Sequence, residues 1–135
     1  MLRSRIIGCG AYLPEKVVSN EELAKTVDTS NDWIVGRTGI TQRHIAAEGQ
    51  LTSDLAHAAA ERAIAAAGID VSELDLLVLA TSTPDNTFPA TATKVQARLG
   101  MRQGVAFDVQ AVCAGFICAL SVADKFLISG QAKKA

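Results

Sequence analysis

Two stretches of this 135-residue sequence combine side chains that could do chemistry. The first is Val105 to Phe116, reading VAFDVQAVCAGF. An apolar run from Val105 to Val109, suited to a buried strand, gives way at Ala111 to small, helix-prone residues, and Cys113 sits at the junction. A thiol in the first turn of a helix meets backbone N–H groups that lack intrahelical partners and the positive end of the helix dipole, both of which favour thiolate over thiol. A cysteine so placed is a candidate nucleophile. Ala111, Ala114 and Gly115 leave room beside the sulfur for a substrate carbonyl, and backbone N–H groups there could meet a developing oxyanion. The plainer reading of the same residues is a small cysteine filling a strand-to-helix packing gap.

The second stretch is Asp28 to Ile40, DTSNDWIVGRTGI. Ser30 or Asn31 can cap a short helix in which Trp33 and Arg37, four residues apart, share a face. An indole that can stack on a flat base, one turn from a guanidinium that can pair with phosphate, could grip a nucleotide-containing ligand such as coenzyme A. The plainer reading is a partly buried Trp shielded by an Arg stem. His44 ends a polar, extended connection and has no carboxylate at a telling spacing, so it reads as a loop histidine rather than a base. His57 lies within a helix and reads as packing or solvated.

Alternating elements must position these groups. Arg3 to Gly10 reads as a buried strand with Cys9 in the core, and Ser19 or Asn20 can cap a short helix reaching about Val27. Thr52 or Ser53 opens an alanine-rich helix, Asp54 to Ala67, closed by Gly68. The apolar run Leu74 to Thr81 has the mark of a central parallel strand. A polar loop from Ser82 to Pro89 follows, in which Phe88 is either a staple onto the next helix or a wall for a pocket. Pro89 suits a first helical turn, and the helix Ala90 to Leu99 ends at Gly100. After the Val105 strand comes a helix from Cys113 to about Ser129, with Phe116, Ile117, Leu120, Phe126 and Leu127 on its apolar side and Cys118 in the core. The pattern predicts an α/β fold, a parallel sheet layered with helices and a site at the C-terminal ends of the strands.

Composition narrows the function classes. With 49% hydrophobic and 20% charged residues the sequence describes one ordinary globular domain, 1–135. A net charge of −1 argues against nucleic acid or an anionic membrane as partner and favours a small molecule or a protein. The N-terminal apolar patch is too short for a leader or a membrane span, so a cytoplasmic setting is expected. Cys9, Cys113 and Cys118 are odd in number and lack CxxC spacing, so neither a disulfide framework nor a metal site is expected.

Taken in order, IIGCGAYLPE, DTSNDWIVGRTGITQRHIA, the TFPA loop and FDVQAVCAGF closely resemble the N-terminal half of β-ketoacyl-[acyl carrier protein] synthase III, across essentially all 135 residues. The resemblance implies a thiolase-like fold, present here as its N-terminal half (βαβαβα) with an incomplete sheet, and a homodimer. It implies decarboxylative condensation of an acyl-CoA, commonly acetyl-CoA, with malonyl-acyl carrier protein to start type II fatty acid synthesis, with acyl-CoA as substrate and no cofactor. By the same resemblance Cys113 is the acylated nucleophile, Thr29, Trp33 and Arg37 contact coenzyme A, and Phe88 lines the acyl pocket of the partner subunit. The family's chain is more than twice this length, and its catalytic histidine and asparagine have no counterpart here. The sequence thus reads as a piece of a longer protein that cannot condense alone. The alternatives are a related condensing enzyme with another starter or of secondary metabolism, a non-catalytic module that assembles as an oligomer, and a redox-sensing cysteine protein.

Overall fold

The computed structural model describes residues 3–135, which divide into two compact units. One comprises Leu13–Gln50, and the other comprises Leu51–Ala135 together with the N-terminal segment up to Tyr12.

In the Leu13–Gln50 unit, β1 (Lys16–Ser19) leads straight into α1 (Asn20–Leu23), then α2 (Asn31–Thr38) and β2 (Gln42–Ile45). β1 and β2 pair antiparallel with Lys16 opposite Ile45 and Ser19 opposite Gln42. Ser19 caps α1 by accepting from the Glu22 N–H (3.1 Å), and Ser30 caps α2 by accepting from the Trp33 N–H (3.2 Å). Asn20 is wholly buried and ties the unit together. Its amide donates to Asn31 Oδ1 (3.0 Å) and the Ile40 carbonyl (2.8 Å), and its oxygen accepts from Arg43 Nη2 (2.6 Å). A buried amide with these contacts satisfied fixes the mutual register of α1, α2 and β2, since leaving it unpaired would cost about 1–3 kcal/mol.

In the larger unit, α3 (Thr52–Ala67) and a single 3-10 turn (Val71–Glu73) precede β3 (Leu76–Ala80), followed by α4 (Thr91–Leu99), β4 (Val105–Val109), a 3-10 turn (Val112–Ala114) and α5 (Gly115–Ile128). β3 and β4 are parallel, with Leu76 opposite Val105 and Ala80 opposite Val109, and α4 is the crossover between them. The core lies where α4 and α5 cover these strands: Leu76, Ala92, Val95, Met101, Ala119 and Ala132 are buried. Phe107 and Phe126 pack tilted at 6.0 Å between ring centres.

The α/β expectation holds, and several local expectations do not. Arg3 to Gly10 forms no strand, and Ile6 and Ile7 are exposed, because no described strand lies beside it to complete a ladder. The segment instead lies against α3, where Gly8 and Gly10 approach the backbone of Ala63 and Ala59 too closely for a side chain. Cys9 and Cys118 are exposed rather than core. On α5 the expected apolar side is divided: Phe126 and Leu127 are half-buried, while Phe116 (70%) and Ile117 (66%) are exposed, since no described element covers that face. α1 stops at Leu23 rather than near Val27, and Pro89 precedes α4 instead of entering its first turn.

Candidate functional site

The Cys113 turn is built by the parallel strand pair. The Thr81 N–H donates to the Val109 carbonyl (3.1 Å), carrying the ladder one residue past β3. At that point the two chains part: residues 82–90 leave β3 as the loop bearing Phe88, while residues 110–114 leave β4 as the turn bearing Cys113. The Phe88 loop and the Cys113 turn therefore spring from neighbouring strand ends, as an open parallel sheet requires of its site. Gly115 opens α5 directly against Ala80. A Cβ there would sit 3.2 Å from the Ala80 Cβ, so the small residue brings the helix start close onto the end of β3.

The turn is tight. The Ala114 N–H donates to the Ala111 carbonyl (2.9 Å), and Val112 adopts a left-handed backbone with φ 45°. Neither the 3-10 turn nor α5 has a side-chain cap, and no acidic residue stands in the first turn of the helix. Cys113 is exposed and stands in the 3-10 turn, one residue before the α5 N-cap Ala114, rather than in the first turn of the helix as expected, because α5 begins only at Gly115.

The Phe88 loop is pinned at both ends while Phe88 itself is 87% exposed. The Asp85 carboxylate, with a fully buried side chain, accepts from the Ser53 N–H at the start of α3 (3.0 Å) and from Lys94 Nζ (3.3 Å). Burial alone would raise the Asp85 pKa, but the hydrogen bonds from Ser53 and the Lys94 ammonium outweigh it and hold the carboxyl below its ordinary range. The Asp85 N–H donates to Thr91 Oγ1 (3.0 Å), and Thr52 Oγ1 donates to the Thr83 carbonyl (2.6 Å). The Phe88–Pro89 peptide is cis.

In the smaller unit the structure brings Trp33 and Arg37 together. The Arg37 guanidinium lies 4.3 Å from the centre of the indole ring, and Trp33 remains 53% exposed. Thr29 is half-buried just before the Ser30 cap, and Ile34 is buried and anchors α2. Gly39 closes the helix in the left-handed conformation. Of the two possible caps, Ser30 serves α2, whereas Asn31 accepts from the buried Asn20. Sequence reasoning missed Asn20 and Arg43 as the residues that seat α2, because their partners lie 11 to 25 positions away.

The remaining candidates hold structural places. His44 Nδ1 lies 2.6 Å from the Pro14 carbonyl, and His57 pairs with Glu61 one helical turn on (3.4 Å). His57 and Glu61 also line an open groove of about 310 Å³ with Ile64, Val71, Arg98 and Leu99. Among the described residues no cluster of His, Cys, Asp or Glu could hold a metal ion, and no helix is long and apolar enough to cross a membrane.

Comparison with known proteins agrees with this architecture. A profile of the 3-oxoacyl-[acyl-carrier-protein (ACP)] synthase III family matches residues 107–135, the stretch from β4 through α5. The β-ketoacyl-[acyl-carrier-protein] synthase III of Paramagnetospirillum magneticum is 67% identical over all 135 residues, which span 42% of that protein. The crystal structure of 3-oxoacyl-[acyl-carrier-protein] synthase III from Aquifex aeolicus superposes with a TM-score of 0.89 at 50% identity, covering 94% of this chain and 41% of that one. A priming β-ketosynthase of a polyketide pathway superposes with a TM-score of 0.90 at 38% identity, covering 95% of this chain and 38% of that one. The chain spans about two fifths of the length of the relatives it matches. By sequence and by its thiolase-type fold, the chain belongs to the β-ketoacyl-[acyl-carrier-protein] synthase III family and corresponds to the N-terminal part of its members.

Proposed function

We propose that this chain forms the acyl-accepting part of a 3-oxoacyl-[acyl-carrier-protein] synthase III, with Cys113 as the residue that is acylated. The observation that carries the reading is the placement of Cys113 on an uncapped turn at the C-terminal ends of two parallel strands, leading directly into α5. In the proposed step the Cys113 thiolate attacks the thioester carbonyl of an acyl-CoA such as acetyl-CoA. A carbon–sulfur bond forms to Cys113 Sγ, the bond to the coenzyme A sulfur breaks, and the released coenzyme A thiolate takes up from solvent the equivalent of the proton that Cys113 gave up on becoming a thiolate. A thiolate suits both halves of this exchange, as attacker and as leaving group. The exposed Trp33 indole, backed by Arg37, is the proposed seat for the adenine nucleotide, with Thr29 beside it.

Condensation with malonyl-acyl carrier protein, pairing of two copies with Phe88 reaching the partner's acyl site, and a cytoplasmic setting complete the proposal. It needs no cofactor. The exposure of Phe88 beyond its own chain supports the pairing. A second reading, a condensing enzyme of a secondary pathway, draws on the likeness to the polyketide priming ketosynthase.

A fusion of this chain to the remaining C-terminal portion of the Paramagnetospirillum relative tests the proposal. Incubated with acetyl-CoA and malonyl-acyl carrier protein, the fusion should yield a 3-oxoacyl-carrier product, and the Cys113→Ala form should yield none. A folded fusion that makes no such product, or makes as much with Cys113→Ala, refutes the assignment.

A further inference from the structure

Among the described residues, Val112 is the one non-glycine residue with a positive φ. A left-handed backbone costs a β-branched residue on the order of 1–3 kcal/mol, because its Cβ crowds a neighbouring carbonyl oxygen. Two common compensations are missing here. The Val112 side chain is 70% exposed, so little apolar burial offsets the strain. The turn needs only the backbone conformation, which glycine supplies without strain, and the chain does use glycine at its left-handed helix ends, Gly39, Gly68 and Gly100. A strained valine has been placed where the backbone alone would accept glycine.

That residue immediately precedes Cys113. The other neighbours of the thiol along the turn, Ala111, Ala114 and Gly115, are small, so Val112 carries the branched side chain nearest to the sulfur in sequence. We infer that Val112 is a specificity-determining residue whose isopropyl group walls one side of the approach to Cys113 and disfavours acyl groups branched next to the carbonyl. The inference rests on the reading of Cys113 as the acylated nucleophile and names the acyl class that site takes: short, unbranched thioesters.

The test uses this chain with Cys9→Ser and Cys118→Ser, so that Cys113 is the one thiol, in three forms: Val112, Val112→Ala and Val112→Gly. Intact mass follows alkylation by iodoacetamide, which is small, and by N-cyclohexylmaleimide, which is bulky, and then acylation by acetyl-CoA and isobutyryl-CoA. The bulky-to-small rate ratio should rise about tenfold in both variants, the lower end of what one or two methyl groups discriminate. Val112→Gly should also melt higher than the parent, because its backbone strain is relieved. A ratio that stays within about twofold of the parent in both variants, alongside a stabilised Val112→Gly, overturns the inference and leaves Val112 a strained residue with no part in access. If the alkylation ratio rises while none of the three forms is acylated by either thioester, the wall stands and the assignment of an acyl class to it falls. The alkylation arm thus separates failure of the wall from failure of the acyl-transfer reading.

Discussion

The Asp108 carboxylate, on β4, accepts hydrogen bonds from the Thr91 N–H (2.8 Å) and the Ala92 N–H (2.7 Å) at the start of α4. The N-cap residue of that helix, Ala90, has no side chain able to do this. A strand carboxylate some 16 residues downstream therefore supplies the cap, using both oxygens and adding its charge to the positive end of the helix dipole. Removing it strands two backbone donors beside the buried side chains of Thr91 and Ala92. Asp108→Ala should cost about 2 kcal/mol, lowering the melting temperature by roughly 4–10 °C. Thermal melts followed by circular dichroism check this, and an unchanged midpoint would show that the cap contributes nothing.

Asp85 makes the second such connection, and its titration fixes a pH dependence. Its folded pKa lies below the ordinary 3.8, so its contribution is present in full above that value and is lost as pH falls through the lower folded pKa. Denaturant titrations should show stability falling on the acid side of about pH 4. Asp85→Asn should be less stable at neutral pH and lose less on acidification. A variant whose acid limb is as steep as the parent's would assign that loss to the other lowered carboxyls, Glu21, Asp54, Asp70, Glu73 and Asp124.

Trp33 is the only tryptophan, so intrinsic fluorescence reports on the proposed coenzyme A seat without background. Titration with coenzyme A should change its emission. Arg37→Ala should weaken binding about fivefold to thirtyfold while leaving the melting temperature within about 2 °C, since an exposed cation–π pair contributes only about 0.5–1 kcal/mol to folding. Equal affinity in the two proteins would remove Arg37 from the site.

Two glycine substitutions should act in opposite directions. A Cβ on Gly10 would lie 2.2 Å from the Ala59 carbonyl oxygen and 2.3 Å from the Ala63 nitrogen, so Gly10→Ala must push the N-terminal segment off α3. Gly36, inside α2, has nothing within 4 Å of that position, and Gly36→Ala should stabilise by about 0.5–1 kcal/mol. Protection of amides in α3 against hydrogen exchange should fall in the first variant. A Gly10→Ala protein with wild-type protection and melting temperature would contradict the close approach.

The parts legible in the sequence were those set by neighbours in the chain. The β3, β4 and α5 elements, the position of Cys113 at a strand-to-helix junction and the Trp33–Arg37 stack all follow from periodicity, small-residue runs and i, i+4 spacing. What escaped was set by residues distant along the chain. Asp85 and Asp108 cap helices whose own N-cap residues, Leu51 and Ala90, make no side-chain cap bond. Although α3 does open at Thr52, the N–H groups of Ser53, Thr91 and Ala92 are satisfied from a loop and a strand that local sequence does not reveal. Asn20, readable as a surface cap, is the buried hub of its unit because Asn31, Ile40 and Arg43 converge on it. Arg3 to Gly10 has the composition of a strand, but composition does not supply the neighbour that a strand requires.

Acyl transfer to Cys113 is tested most directly by the intact mass of the purified, folded chain after incubation with acetyl-CoA, beside its Cys113→Ala counterpart. One acetyl group should be gained by the first and none by the second. A folded chain that gains no acetyl group, or gains it equally with Cys113→Ala, would contradict the assignment of Cys113 as a nucleophile that these residues activate and supply with coenzyme A thioester.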